Sequence, residues 1–203
     1  MVCNEAISLF DKLALEMQTG QWDSITLCSA FLTKDAAERV IELINKIKTR
    51  RKMKITIIIG IKNYFTSPDA IKILLNYIEN KSGGNLQLDL RLPKEDNFHM
   101  KCYVFLGQNI NKAIVGSANL TGAGLDSRGE LMVEVDNDKT IDIIVDYIDY
   151  YLNESENWCD YLNKYTNIYN KYKPQISKVN ISGLFIRTKR HEIKHKMTIR
   201  YAA

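Results

Sequence analysis

The sequence predicts an α/β domain built on a mixed, mostly parallel β-sheet flanked by helices on both faces. Two observations carry that expectation. Over residues 1–92, amphipathic helical segments alternate with short β-branched runs in the order α-β-α-β-α-β. Such alternation favours parallel strands joined by crossover helices. The run at 54–59, KITIII, is also continuously β-branched, as expected of a strand covered on both faces.

The elements follow in order. Residues 4–18 place Ile7, Phe10, Leu13, Ala14 and Met17 at helical spacing, and Gly20 stops the pattern. SITLCSAF at 24–31 reads as a strand. Thr33 is placed to cap a helix over 34–49 that buries Ala37, Val40, Ile41, Ile44 and Ile47. KITIII ends at Gly60, and Ser67-Pro68 opens a helix running to about residue 80 with proline in its first turn. Residues 86–92 alternate as a strand. The second half changes character, with closely spaced strands at 99–106, 113–116 and 130–135. Helices at 139–152 and 158–171 follow, and Pro174 is expected to close the globular part. The expected division is a catalytic domain over 1–174 and a basic extension or linker over 175–203.

Composition narrows the classes of function. A chain of 203 residues fits one domain, at roughly 100–200 residues each. With 45% hydrophobic and 26% charged residues, it can bury an ordinary core. No window reaches the roughly 18 apolar residues of a membrane span, so no membrane partner is expected. The acidic start, without a basic stretch or small-residue cleavage site, argues against a secretory signal. Cys3, Cys28, Cys102 and Cys159 are scattered and form no CxxC pair, which fits reduced thiols in a cytoplasmic protein. The net charge of +4 is unevenly placed: residues 176–203 carry +6, and the remainder −2. A basic tail on a near-neutral body suits an anionic partner such as nucleic acid, with Arg187, Lys189, Arg190, Lys194 and Lys196 as candidate phosphate contacts. A solvated end that only aids solubility is the alternative.

The chemistry concentrates in residues 98–130, FHMKCYVFLGQNINKAIVGSANLTGAGLDSRGE. On a strand, positions i and i+2 share a face, so His99 and Lys101 point together while Met100 and Cys102 turn into the core. Ser117 and Asn119 repeat that spacing in GSAN at 116–119, and Gly116, Gly122 and Gly124 let backbone bend closely around an anion. Histidine supplies a nucleophile or proton carrier near neutral pH. Lysine and an amide stabilise charge on non-bridging phosphoryl oxygens.

These residues resemble the phospholipase D superfamily, whose signature is HxK, a following Asp, then GSxN. Here the match is His99-Met-Lys101 and Gly116-Ser117-Ala-Asn119. The continuation LTGAGLDSRGE, with Glu130, resembles the superfamily's single-motif bacterial nucleases and metal-independent restriction endonucleases. SAFLT, KITIIIG and the TSPDAI helix extend the likeness over roughly residues 20–150. The family's Asp, five residues after the lysine, is Leu106 here.

The resemblance implies a phospholipase D-like fold and a metal-independent phosphodiesterase without cofactor or metal. Its substrate would be DNA, with RNA as the alternative. His99 would attack phosphorus, and His99 of a second copy would protonate the leaving oxygen and then activate water. Lys101 and Asn119 would hold the phosphoryl oxygens, Glu130 would orient the imidazole, and Ser117 would support the loop. One motif per chain implies a two-fold homodimer, and a pair of coupled pKa values for activity. A separate or missing DNA-recognition domain would read bases.

Two rival functions remain: a catalytically dead nucleic-acid-binding module, favoured by Leu106, and a phospholipid hydrolase, which no lipid-binding surface supports. His191-Glu192-Ile-Lys-His195 matches the HExxH zinc pattern. That chemistry needs a third ligand, and none of the eight residues beyond is His, Asp or Glu.

Overall fold

The computed structural model describes residues 7–48, 51–61, 64–81, 83–93 and 98–181, with side chains described to residue 172. The elements are α1 (Leu9–Gln18), β1 (Trp22–Ser29), α2 (Lys34–Asn45), β2 (Met53–Ile59), α3 (Pro68–Lys81), β3 (Leu86–Pro93) and β4 (Lys101–Gly107). Then come β5 (Asn111–Gly116), α4 (Gly122–Leu125), β6 (Met132–Val135), α5 (Asp138–Asn153), β7 (Ser155–Asn157) and α6 (Trp158–Ile181). The chain divides into two compact units between Asn163 and Lys164. The first contains the whole sheet and α1–α5. In the second, α6 continues past Pro174 to Ile181.

The described strands form one sheet in the order β6-β5-β4-β1-β2-β3-β7. The α/β class with flanking helices holds, and β1, β2 and β3 run parallel as the alternating order implies. The expected excess of parallel pairing does not hold. β1–β4, β4–β5, β5–β6 and β3–β7 are antiparallel, against two parallel pairings. The reason is local: a connection as short as that between β4 and β5 can only reverse the chain, whereas a parallel partner needs a long crossover. β4 also enters beside β1 from the end at which β1 finishes. Its first residue, Lys101, therefore pairs with Ser29, the last of β1.

Alternation along the strands sorts the core into two layers. Cys28, Ile58, Cys102, Val104 and Ala113 face α5 through Ile141 and Ile148. The opposite face carries Tyr103 and Phe105. Phe105 stacks on Trp22 at 5.5 Å, and the Trp22 indole donates to the Glu16 carbonyl of α1 at 2.7 Å. Helices α1 to α4 contact one another and form that second layer. Ile55, Ile57, Ile58 and Ile59 of the central strand β2 are all buried. Each contributes roughly 1.5–3 kcal/mol by leaving water. Thr33 occupies the cap position of α2 in extended backbone, but its hydroxyl makes no cap bond. Its backbone N–H instead donates to the Leu120 carbonyl at 3.2 Å. No helix among the described residues is long and apolar enough to cross a membrane.

Candidate active site

The site is set by strand alternation at the entry to β4. Phe98 is buried and meets Tyr151 of α5 edge-to-face at 4.9 Å, and Met100 packs on the same apolar cluster. His99 is thereby turned out to solvent between two anchored neighbours. Lys101 is 8% exposed, and its ammonium folds onto the histidine. Lys101 Nζ lies 2.6 Å from His99 Nδ1 and 3.1 Å from Nε2, and donates to the His99 carbonyl at 2.7 Å. Phe31, just beyond β1, braces the imidazole edge-on at 5.7 Å.

GSAN leaves the neighbouring strand β5. A Cβ on Gly116 would collide with the Leu131 carbonyl oxygen and stand 2.6 Å from Met132 Sδ, so only glycine lets β6 approach here. Ser117 N–H donates to Leu131 O at 3.0 Å, and Ser117 Oγ accepts from Leu131 N at 3.0 Å while donating to the Glu130 carboxylate. Ala118 is buried, and its carbonyl accepts from the Tyr103 hydroxyl at 2.8 Å. Burial holds that phenol well above its usual range, assisted by Cys28, Cys102 and Glu130, so it stays a donor.

Asn119 is placed by Ser29, a residue that motif reading passed over. Ser29 is fully buried. Its hydroxyl accepts from Leu120 N at 2.8 Å, donates to Phe31 O at 2.7 Å and meets Asn119 Oδ1 at 3.4 Å. Because Ser29 also pairs with Lys101, one hydroxyl ties the asparagine loop to the His99–Lys101 strand. A bridge between Leu32 and Leu120 and the Thr66 hydroxyl, which accepts from Leu32 N at 3.3 Å, pin the same end. The signal for Ser29 in the sequence is slight: a hydroxyl closing an otherwise apolar strand, ITLCS.

Two pairs of the five candidate residues are in direct contact, His99 with Lys101 and Ser117 with Glu130, while Asn119 Oδ1 lies 3.4 Å from the hydroxyl of Ser29, the strand partner of Lys101. The rival carboxylate, Glu134, is engaged by Lys12 and, at 3.7 Å, by Lys112. Leu106 lies five residues along β4 from Lys101, about 16 Å at strand rise, and packs against the α5-side cluster. Cys102 is a buried thiol whose pKa is pushed up to about 12 by burial. Arg187, Lys189, Arg190, Lys194 and Lys196, together with His191 and His195, lie outside the described residues. Among the described residues, no three His, Cys, Asp or Glu side chains group as a metal site needs.

A mixed sheet with His-x-Lys entering one strand and Gly-Ser-x-Asn leaving its neighbour defines a nuclease of the phospholipase D superfamily, a phosphodiester hydrolase. NucT from Helicobacter pylori shares the fold at TM-score 0.53 and 16% identity, over 73% of this chain and 90% of that one. Nuc from Salmonella typhimurium, a phospholipase D family member, does so at TM-score 0.50 and 16% identity, over 72% and 88%. No curated protein sequence matches. Residues 7–170 match the NgoFVII restriction endonuclease N-terminal PLD domain, and the chain belongs to that family.

Proposed function

We propose that the protein is a metal-independent endonuclease acting on DNA, with its active site at the two-fold interface of a homodimer. The observation that carries this reading is the pairing of β4 with β5, which brings the touching His99–Lys101 pair beside the strand that ends in Gly116-Ser117-Ala118-Asn119. One His99 attacks phosphorus, forming an N–P bond as the P–O bond to the leaving strand breaks. That oxygen takes a proton from His99 of the second copy. The neutral second histidine then removes a proton from water, which attacks phosphorus and releases the first histidine. Lys101 and Asn119 from both chains hold the non-bridging oxygens as charge develops on them.

Ser117 and Glu130, bonded to each other, act as a buttress that fixes the loop, and Glu130 is the carboxylate we assign to orienting the imidazole. The basic residues 187–196 add sequence-independent attraction to the backbone, and base recognition falls to a separate domain. The dead-module alternative loses its main support, since Leu106 stands away from the His99–Lys101 pair. A leucine placed there packs against the core.

Plasmid and single-stranded DNA incubated with the protein in excess EDTA test this reading. Cleavage at the rate seen without chelator is the expected outcome. A strict requirement for added magnesium would sink it.

A further inference from the structure

Between the start of β4, the end of β5 and helix α5 lies an open cavity of about 360 Å³, and His99 and Lys101 stand in its wall. This size is within the range of small-ligand sites, roughly 300–1,000 Å³. The rest of its wall is apolar or aromatic, with Met100, Val115, Ile143, Ile144 and Tyr147, and carries no second charge. Tyr147 is 63% exposed although it is a large aromatic. It shares one flank of α5 with Ile143 and Ile144, at i−4 and i−3.

His99 and Lys101 border the cavity as well as the phosphate site, so an occupant of the cavity lies beside the scissile phosphate. A sugar-phosphate strand has no reason to run there. Beyond Lys101 the wall offers no cation, and α5 exposes Asp142, Asp146 and Asp149 on an adjacent flank, where they repel phosphate. A nucleobase has the opposite needs: two apolar faces and an aromatic ring to stack on. We propose that the cavity is a nucleobase subsite that takes one unpaired base beside the scissile phosphodiester, with Tyr147 as its stacking surface. This rests on the nuclease reading and extends it. A base inside a stacked duplex cannot reach between α5 and β5, so the substrate is single-stranded or opened at the cut.

The test compares a single-stranded oligonucleotide with the same strand carrying one abasic sugar, walked past the cleaved position. Wild type is expected to cut the intact strand roughly 10-fold faster when the abasic sugar falls at the subsite, a loss in the range for one stacked base. Tyr147→Ala brings the two rates together, and Tyr147→Phe restores the difference. A 2-aminopurine probe at that position, bound to His99→Ala protein, is quenched, and Tyr147→Ala relieves the quenching. Equal rates in wild type, or a difference that Tyr147→Ala leaves unchanged, overturn the subsite and leave the nuclease reading standing. Failure of wild type to cut either strand overturns both. If Tyr147→Ala yields monomers that have lost both rates alike, the face is an interface between copies and the subsite falls.

Discussion

His99→Ala is expected to abolish strand cleavage, lowering the rate by about 10⁴-fold or more, as removal of a covalent nucleophile does. Folding is expected to survive unchanged, within roughly 0.5 kcal/mol, because the imidazole is exposed and its neighbours Phe98 and Met100 make the core contacts. The variant separates two functions, since phosphate is still met by Lys101 and Asn119: DNA binding persists while turnover stops. Mixing adds a test of the shared site. If each cut needs one histidine from each copy, a hybrid of wild-type and His99→Ala subunits is dead, and activity falls as the square of the wild-type fraction. Steady-state cleavage and thermal melts on both proteins check this, and a loss below tenfold assigns the nucleophile elsewhere.

Gly124→Ala is expected to be the most damaging small change outside that pair. Gly124 packs so closely on the asparagine loop that a Cβ would strike the Asn119 carbonyl oxygen and lie 2.9 Å from its backbone nitrogen. Neither atom can yield easily. Asn119 O accepts from Thr121 N at 2.8 Å, and the next residue, Leu120, is fully buried and held by Ser29. The added methyl therefore overpacks the loop, at a cost of about 2–3 kcal/mol. Displacing the Asn119 amide by about 1 Å lowers turnover roughly 100-fold. Melting and cleavage measured together distinguish this from simple unfolding, because the folded fraction at low temperature keeps the catalytic defect. An alanine variant with wild-type stability and rate would show that the loop is not clamped as described.

The parts legible in the sequence are those with a short repeat. Period-two alternation places His99 and Lys101 together with Met100 and Cys102 on the other side, and the β-branched run of β2 announces a strand buried on both faces. Helix α4 is hidden in the sequence because two of the four residues of GAGL are glycines, whose poor propensity Ala123 and Leu125 only partly offset, and its stability comes from the Thr121 side chain, which accepts from Gly124 N at 3.1 Å. The balance of parallel and antiparallel pairing was also hidden, since it depends on where β4 docks and not on its own residues. The role of Ser29 emerges only when β1 and β4 lie side by side. A lone serine at a strand end has many uses, and the pairing with Lys101 selects this one.

The most direct measurement is a rapid denaturing quench of the cleavage reaction, run in EDTA with end-labelled DNA. The account predicts a fraction of label attached to protein through a bond that survives alkali and breaks in mild acid, as a phosphoramidate does, mapping to the peptide that holds His99. Cleavage that proceeds with no protein-linked strand at any quench time, under conditions that trap the adduct's decay, would contradict a covalent histidine intermediate.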